Sequence, residues 1–176
     1  EMDNGWVVST SMMIDSGDNA GVRNIDNRSM TIDMGDQGSL TFAADGGSSA
    51  MDAIDDVTPN AYDESWALVT GADGAIGGAG GSDIFNYTNS SLMDGLAVTL
   101  AYTPSDGTVE IESSTSYAAA YTGIEGLTIG AGAGEDNGAA ASIDVSTMYV
   151  KYAMDAFTVG YQASEEDSET ANADQD

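Results

Sequence analysis

Nearly all the chemistry-bearing side chains in this chain are carboxylates. Asp and Glu total 30 against 3 Lys and Arg, with no His and no Cys, and the formal charge is -27. The zero counts remove thiol nucleophiles, disulfides, Cys/His metal sites and any histidine base or triad. The missing basic footprint makes nucleic acid a very poor partner and disfavours an anionic membrane surface. Adjacent acids occur at Asp55/Asp56 and Glu165/Glu166, and paired carboxylates can do glycosidic acid–base chemistry. Neighbouring carboxylates on a strand or loop do not face each other, and no cleft frames these pairs. No enzyme activity is expected.

The densest set of potential ligands is Asp52, Asp55, Asp56, Asp63 and Glu64, with Asn60 and Trp66 among them. Three chemistries suit it. Carboxylates on a segment folded into a confined, poorly screened space produce a field that favours cations. The same residues on an external loop are solvated and inert. As oxygen donors they could hold Ca²⁺, although EF-hand spacing is absent. No cofactor is expected beyond such a weakly bound Ca²⁺. The glycine-rich run 71–81 fits neither motif it suggests. Residues 77–83 approach a Ca²⁺-binding nonapeptide, but the Asp is one place late and no second copy follows. A phosphate loop would need a Lys. The run reads as a return segment.

The elements that position these residues are strands, because period-2 alternation dominates the chain. Leu96, Val98, Leu100 and Tyr102 alternate with Ala97, Thr99 and Ala101. Leu127, Ile129, Ala131 and Ala133 alternate with Thr128, Gly130, Gly132 and Gly134. The same pattern marks 29–34, 39–43, 147–153 and 157–162, and more weakly 6–14, 84–88 and 109–121, for about nine strands. Tight turns are expected at 36–38, 94–95, 106–107, 125–126 and 155–156. Longer polar connections are expected at 16–27, at 134–144 and from 164 onward, with 165–176 a solvated acidic loop. Short and long connections thus tend to alternate, as in an up-and-down meander. One connection, 45–83, far exceeds the usual loop length of about 12–15 residues. A short helical turn is expected within 51–57, capped by Ser48 or Ser49.

No stretch approaches the roughly 20 apolar residues of a spanning helix. The start, Glu1-Met2-Asp3-Asn4, has neither the basic nor the apolar region of a signal peptide. The chain reads as a piece of a fold, or as a mature protein cut at both ends.

The two strand faces differ in an unusual way. One carries Leu, Val, Ile, Met, Phe and Tyr, and the other mostly Thr, Ser, Ala, Gly and Gln. Small neutral residues suit a watery interior, and tyrosines near strand ends (Tyr102, Tyr152, Tyr161) match the interfacial girdles of membrane barrels. Tyrosines also end strands in soluble sheets. In lipid, a Lys at mid-depth costs about 2–4 kcal/mol, so the alternation turns Lys151 toward the interior. Arg28 precedes the Met30-Ile32-Met34 strand but shares its apolar parity, so it sits at a strand end, at the interface or beyond a bulge. Arg23 reads as a loop residue.

Residues 28–46 (RSMTIDMGDQGSLTFAADG) resemble the strand–turn–strand of Gram-negative general-diffusion porins that leads into the inward-folded loop. Residues 51–66 (MDAIDDVTPNAYDESW) resemble the acidic part of that loop. Residues 82–104 (SDIFNYTNSSLMDGLAVTLAYTP) resemble its exit and the two strands after it, and 123–135 and 147–164 resemble the next hairpins. The resemblance covers nearly the whole chain and implies an all-β, antiparallel up-and-down transmembrane barrel of roughly 16 strands, with about nine present. It implies one barrel domain over 1–176, incomplete at both ends and lacking a terminal aromatic residue. Within it, 45–83 is the inward-folding constriction loop. It further implies a homotrimer in outer-membrane lipid that passes small hydrophilic solutes and ions. Asp52, Asp55, Asp56, Asp63 and Glu64 then line the constriction, and Lys151 and Arg28 stand on the wall opposite. The alternative is a secreted or surface acidic binding module, adhesin-like and Ca²⁺-dependent, with its apolar face buried.

Overall fold

A computed structural model describes residues 2–15, 24–54, 57, 82–105, 107, 112–137 and 141–170. Their strands are β1 (Val7–Asp15), β2 (Asn24–Asp33), β3 (Ser39–Asp45), β4 (Ile84–Asn89), β5 (Leu96–Thr103), β6 (Ser114–Ile124), β7 (Leu127–Asn137), β8 (Ala141–Met154) and β9 (Phe157–Thr170). They form one nine-stranded sheet in sequence order, and every adjacent pair is antiparallel. This is the meander that the alternation and turn spacing imply.

Short connections close where glycine or a turn acid permits a left-handed backbone. Gly126 joins β7 from β6 at φ +74, and its carbonyl accepts the Ala153 N–H at 2.8 Å. A Cβ at Gly126 would stand 2.6 Å from the Ala153 oxygen, so the turn and its neighbour both require glycine. Asp155 takes the equivalent strained place between β8 and β9 at φ +46.

Three expected boundaries are wrong in the same direction. The polar segment 134–144 is strand on both sides, since β7 runs to Asn137 and β8 starts at Ala141. The acidic run from Glu165 is not a solvated loop as far as Thr170, but the continuation of β9. β2 begins at Asn24, inside the expected 16–27 connection. Apolar alternation stops in these stretches, but the backbone ladder continues because each strand has a neighbour to pair with. Asp144 stands opposite both Glu135 and Asp167.

The two faces are set by register. One cross-strand row runs Leu96, Tyr121, Ile129, Val150, Tyr161, and another runs Met30, Phe42, Phe85, Tyr102. Phe42 and Phe85 have ring centroids 5.0 Å apart. Nothing among the described residues covers this apolar face: Phe157 is 74%, Val159 63% and Tyr161 65% exposed. Burial lies on the opposite face, where Ala43, Ile84, Ala101, Ala118, Val145 and Tyr149 are covered. In a soluble sandwich the large apolar residues would be the sealed ones.

Candidate functional site

What covers the small-residue face is the beginning of the long connection. After β3 the chain makes a 3-10 turn, Met51–Ala53, within the expected 51–57. Ser49, one of the two expected caps, accepts the Met51 N–H on its hydroxyl at 3.1 Å, although Ala50 occupies the cap position itself. Met51 is 0% and Ile54 2% exposed, and with Ile84 they are the largest fully buried side chains among the described residues. Burying two such residues stabilises the docked segment by about 1.5–3 kcal/mol each.

The floor beneath them explains a pattern in β7. Its covered positions are Gly130, Gly132 and Gly134, alternating with Ile129, Ala131 and Ala133 on the other face. A Cβ at Gly132 would lie 2.6 Å from Ile54 Cδ1 and 3.1 Å from Met51 Sδ. At Gly130 it would strike the Tyr149 ring, and at Gly134 it would lie 2.7 Å from Ser116 Cβ. At Gly132 the missing side chain lets the docked segment approach the strand backbone, and at Gly130 and Gly134 it makes room for the side chains paired opposite on β8 and β6.

Polar ties complete the docking. Asn86 on β4 donates to the Ser48 carbonyl at 3.1 Å. The Ala50 N–H donates to Ser116 Oγ on β6 at 2.9 Å. Gln162 on β9 donates to the Ile54 carbonyl at 3.0 Å and accepts the Val57 N–H at 3.4 Å. From β4 to β9 is about 24 Å at the usual strand spacing, so the ties to Ser48, Ala50, Ile54 and Val57 together span the covered face.

The residues singled out from sequence fall in different places. Asp52 is exposed, and its carboxylate accepts the Ser49 N–H at 2.9 Å and the Ser49 hydroxyl at 3.1 Å, which holds the turn. Asp55, Asp56, Asp63 and Glu64 lie outside the described residues, as do Asn60, Trp66, Arg23 and the run 71–81. Lys151 is half-buried and pairs in register with Thr128 and Gly160, on the face of Thr147 and Tyr149. Arg28 sits at a register shift against β3 and forms an ion pair with Asp45 at 2.7 Å. Tyr102, Tyr152 and Tyr161 are exposed on the apolar face. Among the described residues no group of three or more acidic side chains is arranged to hold a metal.

Met51, Ile54, Gln162, Ser116, Asn86 and the β7 glycines were not singled out as functional from sequence. Two signals were present: apolar residues three apart in an acidic segment, and glycine at every second position on the polar face of a strand.

An up-and-down antiparallel sheet, apolar on its uncovered side and small and polar on the other, is the wall of an outer-membrane barrel. The chain belongs to the Gram-negative porin family, whose model matches residues 1–176. No curated protein matches the chain. The family is one of outer-membrane channels rather than enzymes, which makes this an outer-membrane porin.

Proposed function

We propose that the protein is a passive pore for small hydrophilic solutes and ions, narrowed by the inward-folded 45–83 connection and weakly selective for cations. The observation that carries this reading is the burial of Ile54 with Ala118 and Tyr149 and of Met51 with Val145, both over Gly132, which starts the connection on the polar side of the wall. A field from Asp52, Asp55, Asp56, Asp63 and Glu64 meets few cations there. Arg28 is paired with Asp45, which leaves Lys151 as the other basic group among the described residues of the strand wall. Lipid supplies no partner for an open sheet edge, so the free sides of β1 and β9 must each meet a further strand for the barrel to close. A homotrimer is the assembly proposed.

The test is the reversal potential across a planar bilayer under a KCl gradient. The expected sign is that of cation preference, increased by Lys151→Glu. Clear anion preference refutes the reading.

A further inference from the structure

We propose that Gln162 is the positioning residue that fixes the 45–83 connection against the wall, and thereby the opening it leaves; the inference rests on the pore reading above. Asn86 and Ser116 hold the segment at Ser48 and Ala50, close to β3. Gln162 holds it at the far end of the crossing, on the last strand of the sheet. Its one amide grips two points of the segment: Nε2 donates to the Ile54 carbonyl at 3.0 Å, and Oε1 accepts the Val57 N–H at 3.4 Å.

The amide is itself held in place. Nε2 also donates to Thr147 Oγ1 at 3.0 Å, and that hydroxyl lies 3.3 Å from the Ala163 carbonyl and 2.8 Å from Ser164 Oγ. With the Thr147 oxygen accepting from Gln162, its proton is directed to β9, and the amide has a defined orientation. Apolar contact alone holds Ile54 over Gly132 without fixing its rotation or height. The Gln162 amide supplies that direction, because hydrogen bonds are directional and dispersion contacts are not.

The chain has no cysteine, so an introduced thiol reports only on itself. Ile54→Cys places one in the buried position, and Ala53→Cys places one next door in an exposed position. In detergent-solubilised protein, a hydrophilic maleimide should label Cys at 54 much more slowly than Cys at 53. Adding Gln162→Ala should raise the rate at 54 about tenfold or more, the population shift expected when both hydrogen bonds to the segment are lost, and leave the rate at 53 unchanged. Gln162→Glu, equal in size but unable to donate as a carboxylate, should accelerate labelling in the same direction. In bilayers, both Gln162 variants should broaden the distribution of open-channel currents while heat-modifiable migration stays as in the parent.

Equal labelling at 54 with and without Gln162, in protein that still migrates as a folded barrel, overturns the proposal. So does labelling at 54 as fast as at 53 in the parent. Labelling does not require conduction. A parent that fails to conduct but shows the labelling pattern refutes the pore reading alone, and a conducting parent without the pattern refutes the role of Gln162 alone.

Discussion

Neighbouring positions on β7 and β8 allow a direct test of which side of this sheet meets lipid. Val150 lies on the uncovered apolar face, between Ile129 and Tyr161 in register. Met148 and Tyr152 flank it on the same face, and all five residues are exposed. Thr128 lies on the other face, opposite Lys151. An Arg at Val150 would project toward hydrocarbon, at a penalty that reaches about 2–4 kcal/mol at full depth. That corresponds to a roughly 30- to 1,000-fold loss in the folded-to-unfolded ratio. An Arg at Thr128 would reach the polar side, where no hydrocarbon penalty applies, although Lys151 opposite adds a like-charge term of about 0.2–1 kcal/mol. The assay is urea-dependent folding into phospholipid vesicles, read by tryptophan fluorescence and heat-modifiable migration. Val150→Arg should lower the folding midpoint far more than Thr128→Arg does. Equal losses at the two positions, or a larger loss at Thr128, would refute the assignment of faces and with it the barrel wall.

Two further outcomes follow from the covered face and the strand extensions. Gly132→Ala forces a Cβ within 2.6 Å of Ile54 Cδ1 and 2.7 Å of the Tyr117 carbonyl; overpacking of this kind costs about 1–3 kcal/mol and should lower the temperature of heat-modified migration, whereas Ala131→Gly on the other face should not act through the docked segment. Asp144 faces Glu135 and Asp167 across both neighbouring strands, and like charges directly opposed destabilise by about 0.2–1 kcal/mol, so Asp144→Asn should stabilise the protein in low salt, with the gain shrinking as salt screens the carboxylates.

Much of the fold was legible in the residues because a strand's side chains alternate strictly between faces. Leu96, Val98 and Leu100 declared one face and Thr99 and Ala101 the other without reference to any partner. Turn positions were legible for a similar reason: Gly95 and Gly126 sit where the backbone needs positive φ, and few other residues take that conformation. Strand ends were less legible. In β9 the apolar alternation fades before Glu165, yet pairing with β8 continues to Thr170, and pairing is a property of two strands rather than one.

The site was legible only in part. Asp52 stood out as a carboxylate in a long acidic segment, but its hydrogen bonds to Ser49 depend on a turn whose conformation the segment's composition does not dictate. Gln162 looked like one more polar residue in an alternating strand. Local sequence, then, determined the all-β class, the turns and the identity of the apolar face, since these depend on contacts between near neighbours in the chain. Only the tertiary structure decided that Met51 and Ile54 rest on Gly132, and that Gln162 holds Ile54 from 108 residues away. Contacts between distant segments depend on where the sheet places its strands, and no single stretch of chain encodes that placement.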